Sequence, residues 1–512
     1  MPALAASQGS QSQAGAQGQA SKQGQMTQPQ KQETHGSVTV GGNKISYDAY
    51  AGTLIIKNDD QKPIASMSYF AYLKSGVKDS STRPITFFYN GGPGSSTVWL
   101  HMLAFGPQRV VVGNGTLTPS APYQMVNNDD SLLDATDEVF IDAPGTGFGR
   151  VLGKDQGGAG SPSDVYGIDE DAKAFDQFIT QFLTEYGRWN SPKFLFGESY
   201  GTTRDAVLSY DLGQDNVGLN GVVFLSSVLN WSLGVDFPEA NPGVNIGYAT
   251  GLPSYAATAY YHNKLPQKPK DLQAFLTQVE QFAMGSYLQA LDAGDLLDAA
   301  TKEKIAGQMH LYTGLPTAYI LKADLRVNGG EFAHELLGDD DMITGRLDSR
   351  FSGPTMDPLA QTANYDPLDS AIDAPTVSMF NQYVRDTLDF GTGMTYEPEI
   401  NVFPMWDFKH QPPGAPFALP FTPNVMPDLA AAMKLNPNMK VMLAGGYFDL
   451  GTPFYAAQYE MHQLTIPPSL QKNISYAFFQ SGHMVYLNPA AHKALHDAAA
   501  KFIESNYKAP QQ

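Results

Sequence analysis

Cysteine is absent from all 512 residues. With it go disulfides, thiolate metal sites, iron–sulfur ligation and any cysteine nucleophile. The compartment stays open, because an exported bacterial protein manages without disulfides as well as a cytosolic one does. Long apolar runs are also missing, and none reaches the roughly 18 residues of a transmembrane helix. Basic charge is scarce: 32 Lys and Arg against 51 Asp and Glu leave a formal charge of −19. Nucleic acid and anionic membrane surfaces both call for basic patches, so neither is expected as a partner. The plain effect of the charge is solubility. Met1–Ala6 reads MPALAA, without the basic region and the apolar stretch of about 7–15 residues that mark a secretory signal. Its small residues read equally well as the remnant of an export cleavage region or as an ordinary start. A periplasmic or secreted location is expected, with the cytoplasm as the alternative.

What is present suits a globular enzyme: 42% hydrophobic and 11% aromatic residues, in a chain long enough for a large core plus an insertion. Residues 7 to about 34 are Gln, Ser, Gly and Ala with almost no large apolar groups. Such a stretch cannot bury enough surface to offset its ordering entropy, so residues 1–35 are read as a disordered tail. From Gly36 onward SVTV, KISYDAY, TLIIKN and ASMSYFAYL alternate between turn signals, as antiparallel strands do. Short apolar runs at Ile85–Tyr89, Glu138–Ile141, Lys193–Phe196, Gly221–Leu225, Lys440–Leu443 and Ser475–Phe479 predict further strands. Ala172, Phe175, Phe178, Ile179, Phe182 and Tyr186 recur at helical steps between two of them. Strand, helix, strand implies a right-handed crossover and parallel pairing. Residues 231–421 break the rhythm, with helices predicted at Asp271–Leu291, Leu296–Gln308 and Leu315–Leu321 among Pro- and Gly-rich loops. Pro489–Tyr507 predicts an amphipathic closing helix. The expected division is an α/β core over 36–230 and 422–512, interrupted by a mainly helical cap at 231–421. There is no internal repeat.

Gly197-Glu198-Ser199-Tyr200-Gly201 fits Gly-x-Ser-x-Gly and follows directly on the apolar run KFLF. A sharp strand-to-helix turn lifts the serine hydroxyl clear of a sheet, and the flanking glycines give it steric room. A hydroxyl is a weak nucleophile until an adjacent base, itself oriented by a carboxylate, activates it. In α/β-hydrolases the chain order is Ser, Asp or Glu, then His. Asp449 lies in a glycine-rich loop after KVMLA, and His483 in QSGHMV after SYAFF. Both follow the C-terminal ends of predicted strands, where open α/β sheets assemble their sites. Asp407 and Asp428 are rival acids, though neither follows a convincing strand. Among the ten histidines, His462, His492 and His496 sit in or near helical stretches and read as structural. Asn90-Gly91-Gly92-Pro93-Gly94-Ser95-Ser96 follows ITFFY, and its bare backbone can aim N–H groups at a developing oxyanion. Gly92 N–H and Tyr200 N–H would form that pair. As a phosphate loop the segment fails, since it lacks both the Gly-Lys-Ser/Thr ending and G-x-G-x-x-G spacing. No cofactor and no metal is expected.

Taken together, NGGPGSS, FIDAPGTGFG (Phe140 to Gly149), GESYG, the late Asp loop and GHMV resemble the serine carboxypeptidase family, in a bacterial-type member. The resemblance runs from about Pro84 to the C-terminus, dense in the flanks and thin in the inserted block. Proline iminopeptidases share a GGPG loop, but GESYG and GHMV fit the carboxypeptidases better. The resemblance implies an α/β-hydrolase fold and release of C-terminal residues from peptide substrates, by a monomer or homodimer. It also implies that Asn90 and Glu198 grip the substrate's terminal carboxylate. For Glu198 to do so, one of the two carboxyl groups must be protonated, which favours acidic pH. One departure stands out: the family's further acid before a Gly-Pro corresponds to Ala104, ahead of Gly106-Pro107. Ser95 likewise replaces a frequent cysteine.

Three readings of the same residues remain open at this stage. Water resolves the acyl-enzyme in a carboxypeptidase; another alcohol or amine does so in an acyltransferase, and a general esterase uses the same triad. The third is a catalytically silent binding protein on the same fold. Tyr255, Tyr260, Tyr261 and Trp406 read as core residues first and as pocket walls second.

Overall fold

The computed structural model describes residues 27–236, 238–420 and 422–507. Ten strands form one sheet: β1 (Gln30–Val40), β2 (Asn43–Lys57), β3 (Pro63–Lys74), β4 (Ile85–Tyr89), β5 (Asp137–Ile141), β6 (Arg150–Val151), β7 (Lys193–Glu198), β8 (Gly221–Leu225), β9 (Lys440–Gly446) and β10 (Ile474–Phe479). Their spatial order is β1-β2-β3-β5-β4-β7-β8-β9-β10, with the short β6 beside β3. Pairing is antiparallel from β1 through β3 to β5, and parallel from β5 to β10. The apolar runs account for the parallel part: β4, β5, β7 and β8 are buried along their whole length, as strands covered by helices on both faces must be.

Helices α1 (Ile168–Glu185), α2 (Tyr200–Gln214), α3 (Ile246–Tyr261), α4 (Leu272–Phe282), α5 (Ala299–Thr313), α6 (Gly329–Glu335), α7 (Pro367–Asp386), α8 (Met426–Leu435), α9 (Phe454–His462) and α10 (Pro489–Ser505) carry most of the remainder. On one sheet face Phe175, Phe178, Phe182, Leu208 and Leu429 pack against Phe87, Leu195 and Val222. On the other, Phe380, Leu495 and Phe502 pack against Phe88, Phe196 and Val223. A third apolar cluster, built around Leu252, Tyr255, Leu276 and Phe332, lies among the inserted helices. The chain leaves the sheet at Leu225 and returns at Lys440 on the neighbouring strand. This is an α/β-hydrolase fold with an inserted, mainly helical block. Among the described residues no helix is long and apolar enough to cross a membrane.

Two expectations need correction. Most of the tail read over residues 1–35 lies outside the described residues, but its last part does not. β1 starts at Gln30 and pairs with β2 in the register Gln30↔Thr53 to Val40↔Asn43. The polar Gln30–His35 stretch is held by backbone hydrogen bonds to a long partner strand, not by its own apolar burial. The helix predicted at Asp271–Leu291 is broken at Ala283–Tyr287, where Gly285 has φ −104° and ψ −109°.

Register positions the site. Tyr89, Gly197, Phe224, Leu443 and Tyr476 lie across one row of β4, β7, β8, β9 and β10. The loops that follow them therefore emerge together at one edge.

Beneath that edge Arg204 on α2 is fully buried and paired with Asp171 on α1, Nε to Oδ2 at 2.6 Å and Nη2 to Oδ1 at 3.2 Å. Removing one member of a buried pair strands the other charge, at a cost of about 3–5 kcal/mol. Asp171→Ala is expected to lower the free energy of unfolding by that amount in a urea titration. A loss under about 1 kcal/mol would show that the pair does not anchor the fold.

Candidate functional site

Ser199 occupies the turn between β7 and α2 with φ 62° and ψ −127°. A non-glycine residue adopts such a conformation only where its surroundings compel it. Here Ser199 N–H donates to Leu225 O at 3.0 Å, and its own carbonyl accepts from Thr202 N at 2.9 Å and Thr202 Oγ1 at 2.7 Å. The side chain faces a cavity of about 590 Å³ that Gly92 and Tyr200 also line. Tyr200 opens α2, where the first N–H groups have no acceptor within the helix. Gly91 lies so close that a Cβ there would come within 2.3 Å of Tyr200 N and 2.8 Å of Glu198 O. Gly92 adopts φ +101°, which a side chain would disfavour. The loop after β4 is thus laid directly over the start of α2.

Asp449 and His483 are brought together from the ends of β9 and β10, with Nδ1 of His483 2.7 Å from Asp449 Oδ2. Asp449 also accepts from Gly451 N at 2.8 Å, Thr452 N at 2.9 Å and Thr452 Oγ1 at 2.7 Å. Burial alone would raise its pKa, but the His483 ring and these donors outweigh that and hold it below the ordinary carboxylate value. For His483 burial pulls downward, and the adjoining Asp449 carboxylate more than reverses it, so its pKa lies above the ordinary imidazole value. The ring is fixed with Nδ1 toward the acid. The main chain of His483 is held too, its carbonyl accepting from Ser226 Oγ at 2.7 Å.

Asn90 and Glu198 meet in a buried pair, Asn90 Nδ2 donating to Glu198 Oε1 at 2.7 Å. Tyr486 OH donates to the same oxygen at 3.3 Å. Glu198 Oε2 is buried without a hydrogen-bond partner. Burial pushes Glu198 up to about 7, against the opposing pull of His483, Tyr486 and Asn90. Ala104 is fully buried, and only its backbone is engaged. Its carbonyl accepts from Asn128 Nδ2 and from His492 Nε2, each at 2.7 Å.

Of the rival acids, Asp428 binds His410 Nε2 at 2.9 Å and Asp407 lies beside Lys409, both away from His483. His496 pairs with Asp134, and His462 packs against Tyr476. The sequence reading missed Tyr486, although it stands close after His483, and Thr452 in the loop that carries Asp449. It also missed the cavity walls. Tyr255 stacks on Phe332 in the inserted core, and Trp406 packs edge-on to Tyr200. The aromatic walls are instead Trp231, Phe403 and Phe408, with Val228, Val235 and Val244. Loop residues distant in sequence form this surface, and no periodicity marks them.

Residues 42–223 match the family model described as serine carboxypeptidase. Over that stretch the chain is similar to the serine carboxypeptidases. It is 27% identical over 276 residues to serine carboxypeptidase S10 family member 1 of Dictyostelium discoideum, covering 51% of this chain and 56% of that protein. It is 28% identical over 187 residues to the pheromone-processing carboxypeptidase KEX1 of Saccharomyces cerevisiae, covering 35% of this chain and 22% of that one. The aligned part is therefore about half of the first relative and about a fifth of the second. The crystal structure of the yeast prohormone-processing carboxypeptidase KEX1 superposes with a TM-score of 0.55 at 14% identity, over 90% of this chain and 92% of that one. That likeness is one of fold.

The close approach at Gly91 makes a direct test. Gly91→Ala is expected to slow labelling of Ser199 by an aryl organophosphonate by about 10²–10³-fold, the typical cost of a damaged oxyanion site. Gly213→Ala, which meets nothing within 4 Å, serves as the control. Equal labelling rates for the two variants would remove the NGGPG loop from the chemistry.

Proposed function

We propose that the protein is a serine-type carboxypeptidase that releases the C-terminal residue of peptides through an acyl-enzyme on Ser199. The observation that carries this reading is the buried Asn90–Glu198 pair next to the nucleophile, with Glu198 Oε2 left free. A buried acceptor without a partner costs about 1–3 kcal/mol, which a ligand that shares a proton with it recovers. A peptide's terminal carboxylate is such a ligand when Glu198 is protonated. The residues that would hold that carboxylate, Asn90, Glu198 and Tyr486, are not among the cavity walls. The rest of the peptide then extends the other way, into the cavity between Trp231, Phe403 and Phe408.

In this reading His483 takes the proton from Ser199 Oγ as that oxygen attacks the scissile carbonyl carbon. The oxyanion forms against the N–H groups of Gly92 and Tyr200, and Asp449 stabilises the imidazolium. His483 then protonates the departing amine, and the C-terminal amino acid leaves from the Asn90–Glu198 clamp. Water, deprotonated by His483, attacks the acyl-enzyme; collapse restores Ser199 and frees the shortened peptide. The Asp449–His483 contact at 2.7 Å supports these roles.

The sign of the pH dependence follows from Glu198, whose pKa stands at about 7. Below that value the acid is neutral and binds the substrate carboxylate. Above it two anions face each other, so KM is expected to rise toward tenfold per pH unit. Hydrolysis of a blocked dipeptide between pH 5 and 9 measures this. Glu198→Gln is expected to flatten the KM profile, because an amide donates a hydrogen bond at every pH. Ser199→Ala and amidation of the substrate should each abolish turnover. A flat wild-type KM profile, or equal turnover of the amidated peptide, would sink the carboxylate clamp. Ester cleavage without peptide turnover would move the reading to an esterase or acyltransferase.

A further inference from the structure

The acid and base loops do not stand alone at the sheet edge, because a short segment of the inserted block runs between them. Residues 346–350 hydrogen-bond to both. Leu450 N–H donates to Arg346 O at 2.9 Å and Ser349 N–H to Phe448 O at 2.9 Å, on either side of Asp449. His483 N–H donates to Leu347 O at 2.7 Å. The segment is itself pinned by Asp366, the cap of α7, whose Oδ2 accepts from Arg346 N at 3.0 Å and Leu347 N at 2.8 Å. Its Asp348 packs on Gly482, next to His483, and is neutralised by Arg350 through Nη2 at 2.5 Å.

The Arg346 side chain turns back toward the reaction centre. Its guanidinium lies flat on Gly451, so that a Cβ there would come within 3.0–3.1 Å of three guanidinium atoms. Across the cavity it meets Asp236, with Nε to Oδ1 at 2.8 Å and Nη2 to Oδ2 at 2.5 Å. Both side chains line the cavity that holds Ser199 and Thr452, and they remain 46% and 39% exposed. A pair so exposed contributes little to stability.

We propose that Arg346, paired with Asp236, is a positioning residue that holds the Asp449 loop at Gly451 and tunes the charge His483 feels. The proposal rests on Ser199, Asp449 and His483 being the reacting residues. The charged groups facing His483 are Asp449 and Glu198, which favour its protonation, and Arg346, which opposes it. Asp348, against Gly482, is neutralised by Arg350, and Asp366 is occupied by the segment's own N–H groups. Arg346 is thus the cation that offsets Asp449, and Glu198 once it ionises, and Asp236 sets how much of its charge reaches the ring.

The two partners therefore predict opposite effects. Losing the cation eases protonation of His483, so in Arg346→Gln the acidic limb of Ser199 reactivity is expected about half a pH unit higher. Losing the anion leaves Arg346 uncompensated, so in Asp236→Asn the limb is expected lower by a similar amount. Arg346→Lys should restore the limb while keeping a reduced kcat, since a lysine cannot lie flat on Gly451 and fork to Asp236. The readout is the pH dependence of Ser199 labelling by a neutral aryl organophosphonate on the full chain. That probe bears no carboxylate and so does not depend on the Glu198 clamp. It separates failure of this proposal from failure of the carboxypeptidase reading, which blocked dipeptides test on the same proteins. Opposite shifts, with the limb restored in Arg346→Lys and unchanged melting temperatures, support the role. Shifts of the same sign, or none, overturn it.

Discussion

Arg204, with no access to solvent, joins three parts of the molecule. It forks onto Asp171 of α1, and its Nη1 donates to Asn90 O at 3.0 Å, where the glycine loop leaves β4. Its plane lies over Phe175 with the guanidinium carbon 4.0 Å from the ring centre. Asp171 also accepts from Tyr200 OH at 3.3 Å. Burying an isolated guanidinium is prohibitively costly, so α1, α2 and the Asn90 turn have to remain where its donors are satisfied. The backbone that would receive an oxyanion is held in place from below by charge.

Above that anchor the site is a set of strained or costly features that neighbours stabilise. Ser199 at φ 62° is compelled by the hydrogen bonds around it. Asp449 stays ionised in a dry environment because four donors converge on it. Glu198 has fewer partners, and its pKa moves up to about 7. Two buried carboxyl groups in one site are thus driven apart in acidity by how strongly the His483 ring and the hydrogen bonds around each favour its charge. That difference suits one to orient a base and the other to share a proton with an anion.

Much of the fold was legible from local pattern. The apolar runs at Ile85–Tyr89 and Gly221–Leu225 coincide with strands, because strands buried on both faces read as continuous apolar sequence. The recurrence from Ala172 to Phe182 coincides with the buried face of α1. Legibility failed where partners supply the structure. Gln30–His35 belongs to a strand only because β2 extends past it, and the helix expected to run to Leu291 is interrupted at Gly285. Tyr486 and Thr452 escaped notice since a tyrosine and a threonine in loops carry no motif of their own.

What the amino-acid order determined by itself was the set of short loops: GESYG, NGGPG, the Asp449 loop and the His483 loop. Each is contiguous, and its geometry follows from local rules for glycine, strand ends and turns. The tertiary structure alone decided which loops meet, how Glu198 and Asp449 differ in acidity, and which side chains wall the cavity. Trp231, Phe403, Phe408, Asp236 and Arg346 come from separate turns of the inserted region. The physical reason is that hydrogen bonding and desolvation act through space, over distances that sequence separation does not measure.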